Sequence, residues 1–503
     1  MVDVAIQALA VGGEGVGPDP SGRITFVPYV APGETVRALV VEDKKRHARA
    51  ELVEVLERAP ERVEPPCSLF ASRECGGCQW LHLDLAVQHQ AKSEFVRREL
   101  RKAVAAGMEV LPLIADVPPL GWRRRARLHW FRARGTERAV IGFCAPRSRR
   151  VNDVETCPQL ARPVADAMAI IREELGPHLT GRGEIEILAG YNGHIHVSIG
   201  GWCSPKYASR LLGKGGLLGS IVGVVLHPPP EMRGDAASRG FPRGRSQENS
   251  RRAGWHTDAH RAGARKDGDP GTRVGGARDG DALRPLRWGK REITVEPGLR
   301  GRADYFAQAS EAGNQALLRA VESACGDLTG KHIVEFYAGA GNLSRMLKRG
   351  RPAELVTTDS RMVPWYKLER VGAAGDVASD LVDDGYYFDL AVLDPPRTGA
   401  AELIAPLVEL HPARIVYVSC DPATLARDVA RLMDHGYHPL SAQPLDLMPQ
   451  TAHVEIVVSL IADAPAAGYG QADVDEPPVV VADTRTAGDP GPSPDETGAP
   501  GDD

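Results

Sequence analysis

The sequence lacks the features that carry a chain into or across a membrane. No apolar run approaches the roughly 20 residues that span a bilayer. The first residues, MVDVAIQALA, have neither the basic start nor the cleavage site of a signal peptide. We therefore expect a cytoplasmic protein without a membrane partner. The 43% hydrophobic and 25% charged content is typical of soluble globular proteins, and 503 residues suffice for about three domains.

Two stretches lack the aliphatic residues that a folded core requires. Residues 230–284 are rich in Arg, Gly and Asp, and residues 463–503 consist mainly of Pro, Gly, Asp and Ala. Neither stretch can bury enough apolar surface to offset its conformational entropy, so we predict a disordered insertion and a disordered tail. The tail carries ten acidic residues and one base, Arg485, leaving the rest of the chain at +4 despite a net charge of -5. An RNA partner is compatible with that distribution.

A disulfide framework is not expected, because a cytoplasmic chain of this size does not need one. Three of the eight cysteines, Cys67, Cys75 and Cys78, nevertheless fall close together in PPCSLFASRECGGC. Cys157, followed by Pro158, is the natural fourth member of the group. Four thiolates can hold zinc or a [4Fe–4S] cluster. Three clustered ligands plus a distant Cys-Pro favour iron–sulfur, with zinc as the alternative.

The order of strand-like and helix-like segments predicts three folded units. Short β-rich runs broken by Gly and Pro predict a small β-barrel, an architecture that often holds nucleic acid. A mixed α+β region follows, and later strands alternate with helices, which predicts a parallel, doubly wound Rossmann-like sheet. The predicted segments are the barrel at 1–62, the central α+β domain at 63–229, the insertion at 230–284, the α/β domain at 285–462 and the tail at 463–503.

The segment VEFYAGAGNLS predicts a nucleotide-type cofactor in the α/β domain. A strand ends near Glu335, and Gly339 and Gly341 form a tight turn before a helix, where backbone can approach a ligand closely. The next strand, LVTTDS, ends in Asp359, a position suited to a ribose diol. These residues predict an adenosine-type cofactor and leave NAD and S-adenosylmethionine as alternatives.

Two further strand ends carry candidate catalytic groups. Asp394 precedes two prolines in LDPPRTGA, which predicts a rigid loop facing a planar base. Cys420 ends the following strand, where a thiolate suggests covalent catalysis. Thiolate addition to uracil C6 would make C5 nucleophilic toward a methyl group, and a base must then remove the C5 proton. His453 and Glu455, alternating on a predicted strand in MPQTAHVEIVVSL, are both candidates for that base.

In chain order, these segments resemble the RNA 5-methyluridine methyltransferases, specifically the 23S rRNA (uracil-5-)-methyltransferases with a TRAM domain and a [4Fe–4S] cluster. GGEGVGPDPSGRITFVPYVAPGETV resembles the TRAM barrel, while CGGCQWLHLD and IGFCAPRSRRVNDVETCPQL resemble the cluster segments. DYFAQASEAGNQAL, EFYAGAGNLS, DPPRTGA, SCDPATLARD and MPQTAHVEIVVSL resemble the methyltransferase motifs. The resemblance implies S-adenosylmethionine as cofactor, RNA as substrate with 23S rRNA ahead of tRNA, and a monomer.

The resemblance also implies roles for individual residues. Cys420 matches the nucleophile and Glu455 the base. The positions that match cofactor contacts are Gln308, Tyr337, Asn342, Asp359, Asp376 and Asp394. The positions that match the cluster ligands are Cys67, Cys75, Cys78 and Cys157. The chain departs from the family pattern in the seven residues between Cys67 and Cys75, where five are usual, and in Ala309-Ser310, where a small apolar residue and Asn are usual.

Other functions remain as alternatives at the level of sequence. The same chemistry could act on tRNA, and a non-catalytic RNA-binding or assembly protein is an alternative of another class. An amino-group methyltransferase also uses a DPP-type loop, but it usually has an aromatic residue where Arg397 stands and needs no thiol. For RNA phosphates we expect contacts with Arg123, Arg124, Arg125 and Arg127.

Overall fold

The N-terminal unit of the computed structural model, which describes residues 1–216, 219–227 and 285–463, is a β-sheet domain. Its strands are β1 (Val2–Ala5), β2 (Ala8–Leu9), β3 (Gly15–Pro18), β4 (Ile24–Val27), β5 (Thr35–Asp43) and β6 (His47–Glu57). They pair in the order β1-β5-β6-β4-β3-β2. Val36 and Ala38 alternate with more exposed residues on β5, so one face of the sheet fills a core with Val4, Val27 and Leu52.

The central unit combines helices with a second sheet. Its elements are α1 (Ser68–Ala71), α2 (Leu85–Glu99), α3 (Arg101–Ala105), β7 (Glu109–Val110), β8 (Arg125–Phe131), β9 (Val140–Gly142), α4 (Arg162–Leu175), β10 (Arg182–Ala189), β11 (His194–Gly201), α5 (Pro205–Ala208), β12 (Gly215–Gly216), β13 (Gly219–His227), β14 (Leu286–Gly289), β15 (Ile293–Glu296) and β16 (Leu299–Gly301). The sheet order is β12-β13-β11-β10-β8-β9, and β14 pairs with β13. The apolar face of α4 covers this sheet through Val164, Met168 and Ile171.

The C-terminal unit is an α/β layer structure. Its elements are α6 (Glu311–Cys325), β17 (His332–Phe336), α7 (Ser344–Arg349), β18 (Glu354–Asp359), β19 (Arg370–Val371), α8 (Ala374–Asp383), β20 (Leu390–Leu393), α9 (Ile404–Leu410), β21 (Arg414–Ser419), α10 (Pro422–Asp434), β22 (Tyr437–Leu445) and β23 (Glu455–Ala462). Val334 and Phe336 of β17 face one core and Ile333 faces the other. Both faces of the sheet are therefore covered, which explains its almost uninterrupted apolar strands.

The sheet of the C-terminal unit has the order β19-β18-β17-β20-β21-β23-β22-β7. Strands β17 to β21 run parallel, as the alternating pattern predicts, but β23 runs antiparallel between β21 and β22. The start of β23 therefore lies at the same edge as the ends of β20 and β21. That edge is where an open α/β sheet presents its ligand-binding loops.

The predicted domain limits do not follow the sheets. Strand β14 pairs with β13, so the limit at 284/285 divides the central sheet. Strand β7 pairs with β22 of the C-terminal sheet, and Val96, Leu100 and Ala103 belong to the core of that sheet. Sequence patterns identify strands and helices but not their distant partners. The predicted insertion at 230–284 lies outside the described residues, as does the predicted tail beyond Asp463.

Three smaller features concern helices. The helical segment that begins at Leu85 is interrupted at Leu100, giving α2 and α3. Within the ranges that the structure describes, no helix is long and apolar enough to cross a bilayer. At the start of α6, Ser310 accepts a hydrogen bond from the Gly313 amide. Ser310 therefore acts as the helix cap in this chain.

A buried ion pair joins α2 to the C-terminal unit. Lys92 is 0% exposed, and its Nζ lies 2.5 Å from Asp446 Oδ1 and 3.3 Å from the Met448 carbonyl oxygen. We predict that Lys92→Met lowers the free energy of unfolding by about 3–5 kcal/mol, because the Asp446 charge stays buried without its partner. Urea unfolding measures the loss. Lys102→Met, at an exposed position of α3, is the control. Equal losses for both variants would contradict the prediction.

Candidate active site

A cavity of about 220 Å³ is formed by loops of all three units. The turn between β2 and β3 contributes Val11 and Gly12, and Gln79 follows the CGGC segment. The C-terminal unit contributes the other lining residues, which are Arg397, Cys420, Asp421, Pro422, Ala452, His453 and Val454. The cavity is therefore open to a substrate that contacts the barrel, the cysteine segment and the α/β sheet at once.

Strand register explains why Cys420 and Glu455 lie together. Ser419 at the end of β21 is opposite Ile456 on antiparallel β23, so the next residue of β21, Cys420, comes beside Glu455. On the other side, Leu393 of β20 pairs with Tyr417, which places Asp394 at the same edge. The two strand ends expected to carry catalytic groups and the candidate base Glu455 thus meet at one edge of the sheet.

The electrostatic environment of this edge favours protonated groups. Burial raises the pKa of Cys420 to about 11, with the charges of Glu455 and Asp394 adding to the rise. Burial, followed by the charge of Asp394, raises the pKa of Glu455 to about 8. Burial alone raises the pKa of Asp394 to about 7. Carboxyl groups that titrate near neutrality are suited to accept and return protons.

His453 lies in the loop before β23, so the expectation that it alternates with Glu455 on a strand is wrong. Its Nε2 lies 3.2 Å from Arg397 Nη2. Burial, with the charges of Arg397, Lys92 and Arg123, lowers the pKa of His453 to about 4. His453 is therefore a neutral acceptor for the Arg397 guanidinium and a weaker base than Glu455 at neutral pH.

Helix α10, which begins just after Cys420, also holds the loop that follows β20. Asp428 Oδ2 accepts hydrogen bonds from the Ala400 amide at 2.9 Å and the Tyr417 hydroxyl at 2.8 Å. Thr424 Oγ1 donates to the Arg397 carbonyl at 3.1 Å. One helix thus fixes the backbone on both sides of the cavity, at Cys420 and at Arg397.

The loop before β23 is held by α2 and the cysteine segment. Gln88 and Gln450 exchange two hydrogen bonds, from Gln88 Nε2 to Gln450 Oε1 at 2.9 Å and from the Gln450 amide to Gln88 Oε1 at 3.0 Å. The amides of Gln79 and Trp80 both donate to the Gln450 carbonyl at 3.1 Å. Gln450 has a left-handed backbone with φ of 67°, a conformation that surrounding contacts must hold in place.

The predicted cofactor turn lies at the end of β17. Tyr337, Gly339 and Gly341 all have positive φ, and a Cβ at Gly341 would come within 2.6 Å of the Tyr366 ring. Asp359 Oδ2 accepts a hydrogen bond from the Gly339 amide at 3.0 Å and so holds the turn. A glycine-rich turn beside an acid on the second strand fits an adenosine-type cofactor.

The other predicted cofactor residues come from separate elements. The Asn342 side chain pairs in both directions with the amide of Asn314 on α6. The Gln308 carbonyl accepts a hydrogen bond from Arg124 Nε at 2.9 Å. Asp376 is exposed on the first turn of α8. These observations give the positions of the residues, and their roles toward a cofactor stay predictions.

The four predicted cluster ligands, Cys67, Cys75, Cys78 and Cys157, line one small pocket of about 70 Å³. Burial and the neighbouring thiols raise the pKa of Cys78 to about 12 and raise the pKa values of Cys75 and Cys157. Arg123 is the nearby cation, and Thr451 closes the pocket. Among the described residues, no group of three or more His, Cys, Asp or Glu side chains is arranged to hold a metal ion.

The arginine run at the start of β8 is mainly structural. Arg124 is buried and pairs with Glu296 at 2.8 Å. Arg125 and Arg127 share Glu186, at 3.1 and 2.8 Å. The expectation that this run holds phosphates is therefore wrong for Arg124, because its guanidinium is buried in the ion pair with Glu296 and is not accessible to a phosphate. Arg125 is partly buried, while Arg127 is the more exposed of the pair.

Sequence reasoning missed several cavity residues. Arg397 could have been found from the sequence, because it directly follows the two prolines of a loop that was already expected to face the substrate. Val11, Gly12 and Gln79 carried no comparable signal, because glycine-rich turns and single glutamines are common and only tertiary packing brings these residues to the cavity.

The strand order, the reversed last strand and the glycine turn define an α/β fold with a site suited to an adenosine-type cofactor. Two family models match the chain, tRNA (Uracil-5-)-methyltransferase over residues 377–463 and the TRAM domain over residues 1–53. The 23S rRNA (uracil(1939)-C(5))-methyltransferase RlmD of Chromohalobacter salexigens is 31% identical over 484 residues, covering 92% of this chain and 90% of the relative. The chain belongs to the RNA uracil-C5 methyltransferases, which confirms the predicted family and activity.

Two other proteins are similar to the chain over most of its length. An uncharacterized RNA methyltransferase of Gloeobacter violaceus is 29% identical, covering 91% of this chain and 96% of the relative. The crystal structure of the Pyrococcus abyssi tRNA (uracil-54, C5)-methyltransferase with S-adenosyl-L-homocysteine has a TM-score of 0.57 at 22% identity. It covers 92% of this chain and 100% of its own, and therefore shares the fold.

The barrel turn gives a testable contact at the cavity. Gly13 has φ of 95°, and a Cβ there would lie 3.0 Å from the Gln79 Cβ and 3.2 Å from the Ala452 Cβ. We predict that Gly13→Val displaces the turn and lowers methyl transfer to RNA at least about tenfold. Gly22→Val is the matched control, because Gly22 also has positive φ but nothing within 4 Å of its Cβ position. Equal losses in both variants would attribute the effect to backbone strain alone.

Proposed function

We propose that this enzyme methylates C5 of a uridine in 23S rRNA through a covalent bond between Cys420 and C6 of the base. The observation that carries the proposal is that Cys420 lines a cavity shared with the turn between β2 and β3 and, through the strand register, lies beside the buried Glu455. The names of the relatives and the family membership support 23S rRNA as the substrate. The reaction takes place in the cytoplasm, on a monomeric enzyme.

Cys420 and Glu455 have complementary roles in this mechanism. The target uridine leaves its stack and enters the cavity. The Cys420 thiolate adds to C6, which places negative charge on C5 and the adjacent carbonyl. S-adenosylmethionine supplies an electrophilic methyl group to C5. The Glu455 carboxylate then removes the C5 proton, the electron pair re-forms the double bond between C5 and C6, and the Cys420 thiolate leaves.

The cofactor would be held by the residues around the glycine turn. In this proposal, the residues in contact with it are Gln308, Tyr337, Asn342, Asp359, Asp376 and Asp394. The positive φ of Tyr337, Gly339 and Gly341 keeps the turn open for a close approach of backbone to ligand. Asp359 would hold the ribose while its Oδ2 keeps the Gly339 amide in place.

We further propose that Cys67, Cys75, Cys78 and Cys157 hold a [4Fe–4S] cluster. A cubic cluster keeps its four thiolate ligands farther apart than one metal ion does. Four thiols around one pocket therefore suit a cluster, even though no three of them converge on a single ion. The cluster would have a structural or RNA-positioning role, because methyl transfer to C5 moves no net electrons.

The cluster proposal predicts a selective loss of iron. Cys78→Ser should lower the iron and acid-labile sulfide content of anaerobically purified protein to near zero, because a ligand thiolate is removed. Cys144→Ser is the matched control. Cys144 lies just after β9, where it forms a β-bridge with Val151, and it does not line the pocket. Full iron content in Cys78→Ser, or an equal loss in Cys144→Ser, would contradict this ligand set.

The covalent mechanism predicts a trapped complex. The wild-type protein with S-adenosylmethionine should form a denaturation-resistant adduct with 23S rRNA that contains 5-fluorouridine, because fluorine cannot leave C5 as a proton. Cys420→Ala should form no adduct and still bind the RNA. A parallel reaction with substituted tRNA tests the second candidate substrate, which the fold shared with the tRNA enzyme favours. An adduct with tRNA alone would keep the mechanism and replace the substrate.

The raised pKa of Glu455, at about 8, predicts the pH dependence of the last step. Below that pH the carboxyl is protonated and cannot accept the C5 proton, so adduct breakdown should accelerate with rising pH and level off above about 8. Asp394→Asn should shift the midpoint downward, because the Asp394 charge helps to raise the pKa of Glu455. Rapid-quench measurement of RNA release checks this, and a pH-independent rate would exclude Glu455 as the base.

A further inference from the structure

Arg397 is a cation at the catalytic cavity that the mechanism above does not use. It lines the cavity together with Cys420, and none of the ion pairs among the described residues includes it. Its backbone is held by the Thr424 hydroxyl, and its guanidinium lies 3.2 Å from His453 Nε2. An arginine fixed at both ends and free of a carboxylate is positioned to act on another group.

The group that needs such a cation is the Cys420 thiol. Burial opposes the thiolate, and so do the charges of Glu455 on β23 and Asp394 after β20. Arg397 opposes all three effects, both through its charge and as a hydrogen-bond donor to the sulfur. The remaining titratable groups facing this region are neutral His453 and Asp421, the residue next to Cys420.

We propose that Arg397 is a catalytic residue that stabilises the thiolate of Cys420, with neutral His453 holding the guanidinium beside the sulfur. The proposal deepens the proposed function and depends on it only for the role of Cys420. The thiol proton leaves to water through the open cavity, and the sulfur lone pair then forms the bond to C6. On elimination the electron pair returns to sulfur, where the same guanidinium stabilises it again.

His453 suits the supporting role because it cannot compete for a proton at neutral pH. Its low pKa, about 4, leaves an uncharged ring that can accept a hydrogen bond from Arg397 without repelling it. A glutamate or aspartate in its place would form an ion pair with Arg397 and reduce the charge available to the sulfur.

The main competing role for Arg397 is a contact with an RNA phosphate, since arginine is a common phosphate ligand. The two roles differ in what they change. A phosphate contact would alter RNA affinity and its salt dependence, whereas a thiolate contact alters the ionisation of Cys420 even when RNA is absent.

The test is the pH dependence of Cys420 alkylation by iodoacetamide, measured without RNA or S-adenosylmethionine and followed by mass spectrometry of the Cys420 peptide. We expect Arg397→Gln to shift the alkylation midpoint upward by about one pH unit, which slows alkylation about tenfold below the midpoint. Arg397→Lys should show a smaller upward shift than Arg397→Gln, because lysine keeps the positive charge but lacks the planar guanidinium with its several N–H donors. Arg431→Gln, at an exposed position on α10, is the matched control and should behave as wild type.

The turnover of the same variants separates the roles further. Arg397→Gln should lower kcat and leave the Kd for RNA nearly unchanged. A wild-type alkylation profile in Arg397→Gln, accompanied by weaker RNA binding, would overturn the proposal in favour of a phosphate contact. Arg397→Lys keeps the test valid if the glutamine variant fails to fold. A shifted alkylation profile in a protein that never forms the fluorouridine adduct would retain the thiolate inference and reject the proposed function instead.

Discussion

The antiparallel direction of β23 is the constraint on which the catalytic edge depends. If β23 ran parallel to β21, its first residue, Glu455, would lie at the opposite edge of the sheet. It would then be separated from Cys420 by about the length of a six-residue strand. Reversal instead brings Glu455 next to Cys420 and Asp394. The loop that leads into β23 then lies over the cavity and carries His453. Proximity of thiol and carboxylate is thus a consequence of sheet topology.

The same loop links the catalytic cavity to the rest of the molecule. Lys92 and Gln88 of α2 hold it through Asp446 and Gln450, with side chains that are buried and paired. Its residue Thr451 lines the cysteine pocket, while the next residues line the catalytic cavity. The two pockets therefore share a wall. The shapes of the cysteine pocket and of the catalytic cavity therefore depend on the conformation of the same backbone segment.

Low solvent exposure determines the chemistry available at this edge. Buried Glu455 and partly buried Asp394 titrate near neutrality, so each can exchange protons at physiological pH. The same environment penalises the thiolate that the mechanism requires. Arg397 offsets that penalty without forming an ion pair with the carboxylates, because His453 holds its guanidinium.

The amino-acid sequence by itself determined the family, the barrel, the alternating α/β pattern and the strand-end positions of Cys420 and Asp394, because these depend on local spacing and residue type. Only the tertiary structure decided that β14 completes the central sheet, that Arg124 is buried against Glu296, and that Val11 and Gln79 reach the cavity. It also placed His453 in the loop before β23, whereas the residue pattern alone had put His453 and Glu455 on one strand as candidates for the base. These outcomes depend on contacts between residues far apart in the chain, and local sequence patterns do not identify such contacts.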